Sequence, residues 1–411
     1  MAETVTLMTE PIVAVRPDAP RTLKSRSELS DWLTREGRFL PDNHALFSGF
    51  CERVWAAGVP IDRAALHLRA LHPQYRGVSR TWKPGKKVHE RFMDHGIEKT
   101  AMYIESPVYA VAEAKTTLEW RLDGNRQLPY PLLEELRDEG YVHYVITPFV
   151  YGVGLVNALS LATKRPGGFS PDDLKFFDDV LPSLSAVVEL KALHRFVPQM
   201  LTTYVGTEPG RLILEGQVRR GDVTTITAAL MLIDLRDFTL LSDTMLPRAV
   251  VRMLNEYFDD VIPPVQEHGG EVMEIMGDGV LAIFRQGNGV GAVQACDAAL
   301  AAARQALAAL AERNRRNGPG AHEMRIGIAL HYGTVSYGNI GTEDRLDFTI
   351  IGPDVNLVSR IERLCRELDR SLIMSDAFGQ TVDRQVWEIG AFELRGFSRM
   401  QRLFELPPDD S

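Results

Sequence analysis

Two carboxylates interrupt apolar runs in the second half of the chain: Asp234 in MLIDLRDFT and Asp278 in EIMGDGVLAIF. A carboxylate at the edge of a buried strand is costly unless it is paired or coordinates a cation. Hard divalent cations take oxygen ligands, and two held together can clamp a phosphoryl transfer. Taken singly, each aspartate also suits a helix cap or a turn, and Asp278 lies between Gly277 and Gly279 as a tight turn would have it. Phe238 and Thr239 follow Asp234 where strand gives way to helix, a place whose free backbone N–H groups can cradle phosphate. In IIGPDVNLVSR, Asn356 and Arg360 are four apart and share one helix face. An amide and a guanidinium so placed suit a ribose and a phosphoryl group, and equally an ordinary exposed helix.

The elements that must hold these residues are legible. TTITAALMLIDL (224–235) reads as a buried strand ending at Asp234. Val250, Leu254, Phe258, Val261 and Val265 mark a helix stopped by Gly269 and Gly270. EVMEI and VLAIF form a hairpin around Asp278, and an alanine-rich helix spans 290–316. MRIGIALHYG and LDFTII are strands, and PDVNLVSRIERLCREL is a helix. The order β-α-β-β-α-β predicts an α+β sheet with helices packed on one face.

The first half has another character. Residues 1–43 are rich in Pro, Arg, Ser and Thr without a sustained period and read as a flexible arm. A helix with Leu46, Phe50 and Val54 on one face begins a separate domain over 44–170. A strand at 64–71 with GVSRTW (77–82) as hairpin partner follows, then two β-type runs, 141–150 and 154–163. A connecting helix over 171–201 starts with Ser170 as cap and Pro171 in the first turn. Within it Leu174, Phe177, Leu181, Leu184 and Val188 step by 3, 4, 3 and 4. That seam either packs on its own domain or pairs across a dimer as a signalling helix. Pro182 should kink the helix and Pro198 should end it. The run YVHYVITPFVYGVGLVNALSLATKRPGGFSPDDL gives this half a GAF-like resemblance, which implies an α/β sensory domain taking an unknown small ligand or signal.

Composition narrows the class. The 411 residues suggest two or three folded units. With 45% apolar and 25% charged residues the chain is globular, and a net charge of -9 speaks against a nucleic-acid partner. Cys51, Cys296 and Cys365 are widely spaced and read as free thiols in a reducing compartment. With neither a signal-peptide pattern nor an apolar membrane span in the sequence, the expected location is the cytoplasm.

It is the ordered combination that is specific. DLRDFT, GGEVMEIMGDGVLAIF, RIGIALHYGTVSYGNIG, DFTIIGPDVNLVSRIE and ELRGF resemble a class III adenylyl/guanylyl cyclase catalytic domain over about 202–407. The resemblance implies a ferredoxin-like palm, a homodimer with active sites shared at the interface, and two Mg²⁺ or Mn²⁺ ions per site. It also implies conversion of ATP or GTP to the 3′,5′-cyclic monophosphate plus pyrophosphate. Carried across, Asp234 and Asp278 match the metal-binding aspartates, Asn356 the ribose-orienting asparagine and Arg360 the transition-state arginine. Arg395 stands where the family has a basic residue for the terminal phosphates, usually lysine. Glu274 and Thr349 fall on the base-selecting positions. Glutamate there accepts from guanine N1–H and the 2-amino group and would repel adenine N1, which favours GTP. ATP is the alternative, since Thr349 suits either base. Two other readings are weaker: a diguanylate cyclase, whose turn signature is missing after Gly269-Gly270-Glu271, and a non-catalytic cyclase-like scaffold.

Overall fold

The computed structural model describes residues 23–407 apart from 71, 73, 125, 153, 155, 288 and 319–321. The chain divides into two compact units, Met1–Val197 and Pro198–Ser411.

The first unit runs α1 (Leu23–Arg35), α2 (Asn43–Ala56), β1 (Arg63–Arg69), β2 (Tyr75–Trp82), β3 (His89–Asp94), α3 (Ala101–Ile104), α4 (Pro107–Ala114), β4 (Leu118–Arg121), α5 (Pro131–Asp138), β5 (His143–Val150) and β6 (Val156–Thr163). The long helix α6 (Pro171–Val205) closes this unit, its residues from Pro198 onward belonging to the second. The strands form one antiparallel sheet in the order β3-β2-β1-β6-β5-β4. Alternation along β1 decides which side is core: Ala64, Leu66 and Leu68 bury against Phe47 and Phe50 of α2 and Phe176 and Leu184 of α6. On the other side, Tyr144, Ile146, Ala158 and Ala162 pack under α4 and α5 through Val111, Leu133 and Leu136.

Three expectations change here. Residues 23–35 of the expected arm are helical, because Leu29, Trp32 and Leu33 form an i, i+3, i+4 stripe buried against α2. Residues 1–22 of that arm lie outside the described part. Helix α6 continues through both Pro182 and Pro198 to Val205. Each proline deprives the carbonyl four residues earlier of its donor, but Asp178 and His194 are exposed, so water can replace it. Finally, the 174–188 seam faces inward: Phe177, Leu184 and Val188 are buried in the unit's own core, with Leu174 and Leu181 packed against it. Spacing placed these five on one face, and the adjacent sheet covers that face.

The second unit runs α7 (Thr207–Leu214), β7 (Val223–Leu235), α8 (Phe238–Thr244), α9 (Pro247–Glu267), β8 (Glu271–Met276), β9 (Gly279–Arg285), α10 (Ala292–Asn317), β10 (Ile326–Gly341) and β11 (Leu346–Ile351). It ends with α11 (Pro353–Glu367), β12 (Leu372–Ser375), α12 (Asp376–Gly379), β13 (Trp387–Phe392) and β14 (Gln401–Glu405). The sheet order is β13-β14-β12-β10-β7-β9-β8, with β11 paired to the far half of β10. Helices cover both faces, not the one expected. Ala229, Met231, Ile233 and Leu235 of β7 face α9 and α10. Ala228, Leu230 and Leu232 face α11, through Val358, Ile361 and Cys365. A strand apolar at every position must be buried on both sides. All three cysteines are buried and free.

Candidate active site

Asp234 is next to last in β7, opposite Gly327 of β10, and Asp278 occupies the tight turn joining β8 to β9, with Gly277 left-handed at φ 68°. Pairing of β7 with β9 sets Ile233 opposite Val280, which draws the two aspartates together. Burial and the Asp278 carboxylate push Asp234 up to about 6, against the opposing Arg366 guanidinium 3.7 Å from its Oδ2. Burial raises Asp278 as well. Two anionic carboxylates crowded at a strand end, with one partial counter-charge, form a site that favours a cation or a proton. Immediately downstream, Asp237 adopts φ 61° and starts α8 without a side-chain cap, leaving the N–H groups of Phe238 and Thr239 at the helix mouth.

Asn356 and Arg360 lie on α11, Asn356 exposed and Arg360 half-buried, while Leu357, Val358, Ile361 and Cys365 bury the helix against the sheet. At about 100° per residue, Asn356 and Arg360 share a face, and Glu362 and Arg366 share another roughly 120° away. The second pair attends Asp234 of the same chain. The fold therefore joins Asp234 to Asp278 and turns Asn356 and Arg360 to a different side of α11.

Glu274 and Thr349 do meet. A register shift in β8 between Val272 and Glu274 sends Met273 into the core and leaves Glu274 half-buried at the edge. Thr349 on β11, paired with Gly338 of β10, donates its hydroxyl to Glu274 Oε2 at 3.0 Å. Arg395 is exposed at a tight turn, anchored by buried Leu394 and left-handed Gly396.

A family model described as the adenylate and guanylate cyclase catalytic domain matches residues 223–396. That stretch runs from the start of β7 past Arg395 and includes every residue placed above. Residues 223–396 are an adenylate/guanylate cyclase-type catalytic domain. An adenylate cyclase of Anabaena cylindrica is 31% identical over 46% of this chain and 36% of its own length. Adenylate cyclase 1 of Rhizobium meliloti is 35% identical over 36% of this chain and 22% of its own. This chain thus spans little more than a third of the first relative and less of the second. The crystal structure of the adenylyl cyclase CyaB from P. aeruginosa aligns with 45% of this chain and 96% of that one, at 24% identity and a TM-score of 0.41.

The cyclase domain also holds residues that motif reasoning passed over. Glu362 Oε1 sits where a side chain on Gly327 would come within 3.0 Å, so the glycine makes room for it beside Asp234. Burial, then Asp234, push Glu362 up to about 7. Tyr257 is fully buried with its hydroxyl unpartnered among the described residues, and burial followed by Asp234 and Asp278 raises it. Arg236, buried beside the site, donates to Asp369 at 2.6 Å and to the Cys365 carbonyl at 3.0 Å, tying the end of β7 to the end of α11. Asp354 in the first turn of α11 accepts from Thr334 N–H at 2.7 Å and meets His331 Nε2 at 3.3 Å, which fastens the start of that helix to β10. The hydrogen bond from His331 holds the Asp354 carboxyl below its usual range. One signal for Glu362 was available: an acid next to buried Ile361 and three before buried Cys365 lies on the rim of the packed face.

The donor set of the cyclase domain fits a hard divalent ion. Asp234 and Asp278 offer oxygen only, and among the described residues no group of three or more His, Cys, Asp or Glu is arranged to enclose a metal. Mg²⁺ characteristically uses one or two carboxylates and takes the rest of its shell from water and substrate phosphates. The raised Asp234 carboxyl, crowded by Asp278, marks a position where a cation would be favoured.

Proposed function

We propose that the protein is a class III purine nucleotidyl cyclase that converts a nucleoside triphosphate to its 3′,5′-cyclic monophosphate and pyrophosphate, with GTP preferred. The observation that carries the reading is the convergence of Asp234 and Asp278 inside the cyclase-type domain. Divalent cations held there, two Mg²⁺ or Mn²⁺, would acidify the ribose 3′-hydroxyl and offset phosphate charge. Everything else falls to the chain. Glu274 and Thr349 receive the base, and Asn356 orients the ribose for in-line attack of the 3′-oxygen on the α-phosphorus. Arg360 stabilises the charge that grows on the equatorial oxygens. Arg395, with the Phe238 and Thr239 N–H groups, holds the leaving phosphates; arginine in place of lysine keeps the charge and adds a bidentate fork.

The site is shared between two copies in this reading. Asp234 and Asp278 of one chain work with Glu274, Thr349, Asn356, Arg360 and Arg395 of the other, which the divergent faces of α11 favour. Glu274 argues for GTP, because its carboxylate accepts from guanine N1–H and the 2-amino group. Thr349 can then turn its hydroxyl toward O6. The reading for ATP has its own support: with its proton given to Glu274, Thr349 offers only lone pairs, as an adenine amino group needs.

The first unit serves as a GAF-like sensory domain in this proposal, and the reaction belongs to the cytoplasm. No helix among the described residues is long and apolar enough to cross a membrane. A cavity of about 580 Å³ lies over the sheet face carrying His67, Ser79 and Asn157, with Met102 and Tyr103 on its far side. His67 bridges Ser79 at 3.0 Å and Ser160 at 3.1 Å, and burial, helped by Arg63, drives it down to about 3, so it stays neutral. Such a lining suits a small polar ligand.

Mass spectrometry of products, with ATP and GTP offered together in Mg²⁺ and in Mn²⁺, tests the proposal. Cyclic GMP in excess of cyclic AMP is expected. Cyclic AMP in excess overturns the base preference, and no cyclic nucleotide under either metal restores the scaffold reading.

A further inference from the structure

On the side of β10 away from β7, β12 pairs at 328–330 and β11 at 336–341, and among the described residues no strand lies beside the stretch between. Three side chains fill that gap. Asp354, in the first turn of α11, takes the Thr334 N–H on Oδ2 at 2.7 Å and faces His331 Nε2 with Oδ1 at 3.3 Å. His331 Nδ1 lies 2.8 Å from Ser375 Oγ, which also accepts from Phe378 N–H at 3.2 Å. His331 and Ser375 are 4% and 3% exposed, so water does not compete for these contacts. One polar chain thus ties the start of α11 across β10 to the start of α12. We propose that Asp354 and His331 are positioning residues of the cyclase reaction, setting through α11 where Asn356 and Arg360 stand. The proposal rests on the roles given above to Asn356 and Arg360.

Helix geometry puts the anchor and the groups it serves on opposite sides. At about 100° per residue, Asp354 falls within roughly 40° of Val358, Ile361 and Cys365, the buried stripe of α11. Asn356 and Arg360 fall about 160° and 120° away from it. Apolar packing is non-directional and by itself lets a helix slide or turn on a sheet. A carboxylate held by a backbone N–H and an imidazole fixes both the height and the rotation of the first turn. Nothing else does so at that end, because the residue before the helix is Gly352, which has no side chain to cap it. Room for the carboxylate is kept by Gly333: a methyl group there would collide with Asp354 Oδ2 and lie 2.7 Å from His331 Nε2. The far end of α11 is tied by Arg236 to the Cys365 carbonyl at 3.0 Å. Releasing the near end lets Asn356 and Arg360 drift, and a misplacement of about 1 Å can cost a hundredfold in rate.

Steady-state kinetics of the full-length chain tests this. Asp354→Ala should lower kcat by about tenfold or more and leave KM within about twofold, because the base and the terminal phosphates are held elsewhere. Gly333→Ala, which removes no polar group, should lower kcat in the same way, and His331→Ala should give a smaller loss of the same kind. Asp354→Asn still accepts from Thr334 N–H and should recover most of the lost kcat. In an Asn356→Ala background, Asp354→Ala should cost at most about threefold, since a residue acting through another is not additive with it. A raised KM at unchanged kcat, or the same factor of loss in both backgrounds, overturns the proposal. If Asp354→Ala fails to fold, Gly333→Ala and His331→Ala decide, and wild-type kcat in either overturns it. An Asn356→Ala chain with wild-type turnover is a different failure: it removes the role of Asn356 on which the proposal rests.

Discussion

Replacing Glu274 by lysine tests the proposed base recognition where Glu274 and Thr349 meet. In the wild type, Thr349 donates to Glu274 Oε2 at 3.0 Å, so carboxylate and hydroxyl form a joined acceptor edge. Lysine reverses that edge: its ammonium donates to Thr349 and to adenine N1, and it faces guanine N1–H with a donor against a donor. One unmatched buried polar group costs about 1–3 kcal/mol, or roughly one to two decades in a ratio of rate constants. Half-burial of Glu274 places the effect toward the lower part of that range, because water can relieve part of the mismatch. Thr349 moderates it further, since its hydroxyl serves either base unchanged. The assay is kcat/KM for ATP and for GTP, wild type against Glu274→Lys, with both substrates at saturating Mg²⁺ or Mn²⁺. A tenfold or larger swing toward ATP, with total turnover lowered by the longer side chain, is the expected result. A wild type that strongly prefers ATP, together with a mutant of the same ratio, would refute the reasoning, because Glu274 would then not face the base.

The crowded aspartates should leave a pH signature in the metal-free protein. Asp234 has a higher pKa folded than unfolded, so its ionisation opposes folding: the penalty is absent below 3.8, grows between 3.8 and about 6, and is complete above. The rise corresponds to at most about 3 kcal/mol, with the side chain 27% exposed. In chelator, Asp234→Asn should therefore melt above wild type at pH 8 and level with it at pH 4; equal melting at both would remove the repulsion argument. The shared site is tested by mixing Asp234→Ala with Arg360→Ala chains, each inactive alone. Random exchange makes half the dimers mixed, each with one intact site of two, so roughly a quarter of wild-type turnover should return. A mixture that stays inactive while mixed dimers form excludes the two-chain site.

Much of the cyclase-type half was legible because its chemistry and its packing use the same local signals. Asp234 and Asp278 stand out as charges set in apolar runs, and β7 declares burial on both sides by being apolar at successive positions, which already required helices on two faces. The order of strands and helices follows from short-range periodicity, whereas the expectation of helices on one face missed what the doubly apolar β7 required, because the second helix layer, α11, comes from far along the chain. Tertiary structure alone decided what lies across a gap in sequence. That Glu362 and Tyr257 attend the aspartates, that Thr349 reaches Glu274, and that Arg236 binds the end of α11 depend on register between strands far apart in the chain. Helix α6 shows the limit most sharply. Its spacing puts the seam at 174–188 on one face, and spacing carries no information about whether a sheet or a second chain will cover it. Leu29, Trp32 and Leu33, three apolar residues in a polar stretch, became core for the same reason: α2 lay beside them. Periodicity states which side chains travel together, and burial is settled only by the surface that arrives to exclude water.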